Sequence, residues 1–194
     1  MEDPIDQTYL AVCSLGITSS REGGAVCPLI FVDIDGVLIP LRTRSTGTDR
    51  CSGGHAGDAP DNSGNPLLER LDPGDGGRLL ALPGELVWAS TWMAEANEVI
   101  APRLGLPVLP VVDWPDVDEE PQRGLHWKTV PLTRWAAGRR FVWLDDETTE
   151  ADRRWVAAHY RQPALLHRVD PYVGLTAADL ATVRQWLRQQ DETG

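Results

Sequence analysis

Asp33 and Asp35 stand two positions apart at the end of an apolar run, in the stretch PLIFVDIDGVLIP. Side chains alternate along an extended chain, so residues two apart face the same side. The spacing predicts two carboxylates in one small volume, with Gly36 beside them. A second acidic pair, Asp145 and Asp146, follows the apolar run Arg140–Leu144, and Ser90 with Thr91 follows Leu86–Ala89. Lys128 falls where a helix is expected to begin. Carboxylates this close repel and raise one another's pKa values. A bound divalent cation removes that cost. An all-oxygen donor set of Asp33, Asp35, Asp145 and Asp146 suits Mg²⁺, which binds through a few carboxylates plus a substrate phosphate. A carboxylate screened by metal can attack phosphorus. A hydroxyl at a helix N-terminus suits a phosphate oxygen, and a lysine offsets charge on the phosphoryl group.

Each of these residues has a plainer use. Asp33 and Asp35 could form a turn, Ser90 or Thr91 could cap a helix starting at Trp92, and Asp145 and Asp146 could sit in a loop before Thr149. Their joint order along the chain outweighs those uses. So does the choice of lysine. Of eighteen basic residues, Lys128 is the one that is not arginine, so a compact ammonium at this position suggests a geometric need.

The elements that must position these residues are short apolar runs alternating with helix-like segments. Strands are expected at Leu29–Val32, Leu86–Ala89, Pro107–Val112, Arg140–Leu144 and Ala164–Val169. Helices are expected at about Asn65–Leu71, Trp92–Ala101, Lys128–Ala137, Thr149–Tyr160 and Thr176–Gln190. Near-continuous apolar strands are the mark of a sheet buried on both faces. Strand–helix alternation predicts an α/β, Rossmann-like three-layer sandwich around a central parallel sheet. In such sheets ligands bind beyond the carboxyl ends of the strands, where every polar cluster above falls.

Residues 1–27 read as an N-terminal extension and 28–194 as one domain. A polar segment at about 40–84 interrupts it. Rich in Gly, Asp, Ser and Pro, this segment is expected to form a small lid or rudimentary cap after the first strand. Arg42 and Arg44 at its start could meet an anionic leaving group, and Trp92 could stack on a base or sugar. His126 reads as a polar residue entering the helix.

Hydrophobic residues make up 42% of the chain, as in globular proteins, and no apolar run is long enough to cross a membrane. The N-terminus lacks the basic start of a signal peptide. Cys13, Cys27 and Cys51 have no metal-type spacing and are expected as reduced thiols in a cytoplasm, with one disulfide as the alternative. The net charge of −11 argues against a nonspecific grip on a nucleic-acid backbone, which needs many cations.

The motifs resemble those of the haloacid dehalogenase-like (HAD) phosphohydrolases: DIDGVL the first, WAST the second, HWK the third and WLDDE the fourth. Within the family, the pattern is similar to the small HAD domains of bacterial RNA-repair systems. The resemblance implies an HAD-like core with the first strand central. It implies Asp33 as nucleophile, Asp35 as general acid/base, Ser90 as phosphate ligand with Thr91 as the runner-up, Gly36 beside the substrate, Lys128 as the cation, and Asp146 assisted by Asp145 as metal ligand. The implied activity is Mg²⁺-dependent hydrolysis of phosphate monoesters through an aspartyl-phosphate. The partner would be a phosphorylated small molecule or a nucleic-acid end, the small cap leaving room for a bulky one. Two other readings compete: a receiver-like signalling module, and a catalytically silent phosphate-binding module. Receivers resemble an acidic pair first and a lone acceptor Asp later; here the order is reversed. No G-x-G-x-x-G follows the first strand, which disfavours a dinucleotide fold.

Overall fold

The four residues of β1 (Leu29–Val32) are completely buried. A strand with no polar side chain on either face is stable only where both faces are covered. In the computed structural model, which describes residues 27–42, 65–114 and 124–193, β1 lies inside a four-stranded parallel sheet of order β2-β1-β3-β4. The other strands are β2 (Glu85–Trp88), β3 (Phe141–Asp145) and β4 (Ala164–Arg168).

The two-residue alternation divides β1 between two apolar layers. Ile30 and Val32 pack with Leu79 of α1 (Gly74–Leu80), Leu104 of α2 (Ala101–Leu104) and Leu180, Val183 and Leu187 of α5 (Ala177–Thr193). Leu29 and Phe31 pack with Leu132 of α3 (Thr129–Trp135) and Val156 of α4 (Glu150–His159). The molecule is thus the expected three-layer α/β sandwich. Register then aligns the strand ends. Val32 lies opposite both Trp88 and Leu144, so the residues just after β1, β2 and β3 emerge along one edge.

Three segments differ from expectation. Pro107–Val112 is not a strand; it touches the sheet through a lone bridge between Trp88 and Val111. Pro107 and Pro110 have no N–H to donate to a ladder. Trp88 N donates to Pro110 O and Val112 N to Trp88 O, both at 2.8 Å, and pairing stops there. The helix expected at Trp92–Ala101 is instead a π-helical turn, Ala96–Ile100, followed by α2; Pro102 in the first turn of α2 removes a donor that a continuous helix would use. The third difference is α1, unforeseen in the stretch LDPGDGG. Its Gly76 is a packing residue, because a Cβ there would fall 1.8 Å from Leu104 O. The small residue lets α1 and α2 come into contact.

Asn65–Leu71 forms a 3-10 helix over Pro66–Arg70, with Asn65 Oδ1 accepting from Leu67 N. Of the segment expected as a lid, residues 43–64 lie outside the described residues. Its later part joins the core through Leu68, Leu79 and Leu82. The expected N-terminal extension lies outside the described residues except for Cys27, which is disulfide-bonded. The alternative of one disulfide replaces the expectation of three reduced thiols. Among the described residues, no helix is long and apolar enough to cross a membrane.

Candidate active site

Asp33 is the first residue past β1, and its N–H still donates to Leu144 O at 3.0 Å. Beyond it the chain folds back. The N–H groups of Val37, Leu38 and Ile39 all point to Ile34 O, and Asp35 makes only a lone bridge with Ile39. Alternation therefore ends at Asp33, and the two carboxylates part. Asp33 is buried, whereas Asp35 is exposed and its Oδ2 accepts from the indole Nε1 of Trp92 at 3.0 Å. The group close enough to hold one cation is Asp33, Asp145 and Asp146, with one carboxylate oxygen from each lying within 4.8 Å of the others. Asp35, expected as a fourth metal-ligating carboxylate, is not of that group. The turn at Ile34 is the reason.

Lys128 stands at the N-terminal end of α3, only 3% exposed. Its Nζ donates to Asp33 Oδ2 at 2.5 Å and to Asp145 Oδ2 at 3.0 Å. Asp33 Oδ1 accepts from Ile34 N at 2.8 Å, and Asp145 Oδ1 from Glu147 N at 2.8 Å. Burial pushes the Asp33 carboxyl up to about 7; Lys128 opposes that shift and the charge of Asp145 reinforces it. Burial disfavours the Lys128 ammonium, but Asp33 and Asp145 outweigh it and hold its pKa above the ordinary value. Asp146 is raised by burial first and then by Asp145. One cation thus faces three carboxylates, an imbalance that a bound divalent ion would correct. The donor set consists of oxygens alone and fits such an ion.

Gly36 shapes the floor of this cluster. Its φ is +72°, and a Cβ there would lie 2.4 Å from Asp146 Cγ. Only glycine combines that backbone with space for Asp146.

Ser90 and Thr91 are separated by burial. Ser90 is 1% exposed, and its Oγ has no hydrogen-bond partner among the described residues. Thr91 is exposed. A buried hydroxyl left unpaired is costly unless a ligand satisfies it, and of the two hydroxyls Ser90 is the one in that state. Trp114 steadies this loop. Its Nε1 donates to Ser90 O at 3.1 Å, and its ring meets that of Trp127 at 5.0 Å, edge to face.

Sequence reasoning overlooked Asp152, which is fully buried in the first turn of α4. Its two oxygens accept from His126 N, Thr129 Oγ1, Thr149 N and Thr149 Oγ1, all at 2.6–2.8 Å. It ties the start of α4 to both sides of Lys128. The signal was available, since T-x-x-D before a helix is a capping pattern, but that pattern does not reveal the distant donors. His126 accepts from Lys128 N at Nδ1 and faces Glu147 Oε2 at Nε2, at 3.3 and 3.0 Å. It braces the turn, as expected of a residue entering the helix.

Burial alone would raise the Asp152 carboxyl, but hydrogen bonds from Thr149, Thr129 and the His126 backbone outweigh it and hold it below the usual 3.8. Because the folded-state pKa is the lower one, this carboxylate stabilises the fold above pH about 4, and the contribution disappears as pH falls through the folded value. Asp152→Ala is expected to lower the unfolding free energy at pH 7 by about 2–3 kcal/mol, since buried donors lose their acceptor. It should also flatten the acid side of the stability profile. Urea unfolding between pH 3 and 7 checks both; an equally steep acid limb in the variant would exclude Asp152 as its source.

The parallel sheet, with acidic clusters at its first and third strand ends and a lysine between them, defines a HAD-like hydrolase. The chain matches a family model over residues 29–180 and belongs to that family, described as the HAD domain in Swiss Army Knife RNA repair proteins. No curated protein and no solved structure matches it.

Proposed function

We propose that this chain is a Mg²⁺-dependent phosphohydrolase that cleaves phosphate monoesters through an aspartyl-phosphate, with nucleotide or nucleic-acid phosphate ends as its substrates. The observation that carries the reading is the junction of Asp33, Lys128 and the acidic cluster beside the unpaired Ser90 hydroxyl. The description of the family, which speaks of RNA repair, supports the substrate class.

Asp33, Asp145 and Asp146 would hold the cation, which when bound neutralises charge on the phosphoryl group and on Asp33. A carboxylate oxygen of Asp33 attacks phosphorus as the bond to the leaving oxygen breaks, and Asp35 gives its proton to that oxygen. Asp35 then takes a proton from water. The resulting hydroxide attacks the same phosphorus, releasing phosphate and restoring Asp33. Ser90 Oγ donates to a phosphoryl oxygen, and Lys128 holds Asp33 and offsets the developing charge. The Trp92 indole donates to Asp35 Oδ2 and so positions that carboxyl group for its two proton transfers.

The test is hydrolysis of an aryl phosphate with and without millimolar Mg²⁺, followed by thermal melts. Turnover should require the cation. Mg²⁺ should raise the melting temperature, because it binds the folded state, and Asp146→Ala should reduce that rise. Metal-independent turnover or an unchanged melting curve would reject the reading.

A further inference from the structure

We propose that the cleft beside β4 is a second anion subsite, which takes a phosphate or phosphodiester of the leaving group. This rests on the phosphohydrolase reading and names the feature of the substrate that the site selects. The cleft, of about 450 Å³, is lined by Arg168, Val169, Asp170, Pro171 and Tyr172. It adjoins the acidic cluster, since Arg168 Nε donates to Asp146 O at 2.9 Å. Among the described residues, no carboxylate lies within ion-pair distance of Arg168, so its charge is left for a ligand.

A second guanidinium stands at the edge of the cleft, outside the lining itself, on the ring of Tyr172. Arg42 lies over the Tyr172 ring, 5.0 Å from its centre, a geometry in which the ring attracts the cation. The backbone before Arg42 is held from both sides. Leu41 N donates to Pro171 O at 2.7 Å, and Arg70 Nη1 donates to Pro40 O and Leu41 O at 3.2 and 2.9 Å. Arg168 thus stands next to the metal-type cluster of a strongly acidic chain, and Arg42 lies over the Tyr172 ring that lines the same cleft. Asp170, the opposing charge in the cleft, is engaged locally: its Oδ1 accepts from Tyr172 N at 2.9 Å.

A guanidinium recognises phosphate by paired, charge-assisted hydrogen bonds. A leaving group with a second phosphate next to the scissile monoester would place it here. Two sources offer that chemistry: a nucleoside bisphosphate, and the first phosphodiester of a phosphorylated nucleic-acid end.

The experiment compares kcat/KM on p-nitrophenyl phosphate, adenosine 5′-monophosphate, adenosine 3′,5′-bisphosphate and a 5′-phosphorylated dinucleotide. Wild-type protein should prefer one or both of the last two over the monophosphate by about tenfold, the size of one charged hydrogen bond. Preference for the bisphosphate alone assigns a terminal phosphate; preference for the dinucleotide assigns a phosphodiester. Arg42→Gln should erase the ratio, and so should Tyr172→Leu, which removes the ring beneath Arg42. Arg42→Gln is the cleaner variant, because Arg168 also holds the Asp146 carbonyl. A wild type with no preference, or a preference that survives both substitutions, overturns the inference. If no monoester is hydrolysed, the phosphohydrolase reading fails separately. Calorimetric titration with adenosine 3′,5′-bisphosphate then decides the subsite. Binding about tenfold weaker in Arg42→Gln upholds it, and equal affinity overturns it.

Discussion

Asp33→Asn is expected to abolish turnover, by at least about 10⁴-fold, while leaving the fold as stable as before. The rate follows from chemistry: an amide has no anionic oxygen to attack phosphorus, and losing a covalent nucleophile costs on this order. The stability follows from charge counting. Removing one partner of a buried ion pair ordinarily costs about 3–5 kcal/mol, because the other charge is left uncompensated. Here Lys128 keeps Asp145 at 3.0 Å, and the substitution leaves two carboxylates facing one cation instead of three. Burial already pushes Asp33 toward its neutral form. The asparagine should therefore melt at the wild-type temperature or above it in the absence of metal. The check is aryl phosphate turnover beside a thermal melt in chelator. Substantial turnover would rule out the covalent route. A large drop in melting temperature would mean that the Asp33–Lys128 pair holds the domain together.

Lys128 carries the second large effect, and its two substitutions should fail for different reasons. Lys128→Ala empties a site that is almost wholly buried and strips Asp33 and Asp145 of their shared donor. Loss of about 3 kcal/mol or more of stability is expected, together with loss of most turnover. Lys128→Arg keeps the charge. A guanidinium is a broad planar fork, however, and the space between two carboxylates at 2.5 and 3.0 Å is shaped for a single nitrogen. The arginine variant should fold and lose roughly 10- to 100-fold in rate, about 1.4–2.7 kcal/mol of barrier. Kinetics and melts of both variants separate the effects. A near-normal rate in Lys128→Arg would mean that charge alone suffices and that the single lysine is an accident of composition.

Both variants probe residues that were legible before any coordinates. The run Leu29–Val32 announced a doubly buried strand ending on a carboxylate, and the one lysine among eighteen basic residues marked its own position. The family match agrees with the motif order. Asp152 was harder to see, because its role depends on donors from His126 and Thr129, more than twenty positions away. The helix in LDPGDGG was hidden for a similar reason: Gly76 permits close helix packing, although locally the glycines spell a turn.

The sequence by itself determined the layered architecture and the residue types at each strand end, because burial on both faces demands continuous apolar runs and phosphoryl chemistry demands carboxylates, a hydroxyl and a cation. Tertiary structure alone decided which of those residues converge. It turned the chain at Ile34 so that Asp35 left the cluster for the Trp92 indole, and it buried Ser90 while exposing Thr91. It also placed β1 between β2 and β3, so that Asp33 meets Asp145 and Lys128. The physical reason is range. Periodicity and residue chemistry act over a few positions, whereas a shared pocket is set by register and turn geometry between segments that only folding brings together.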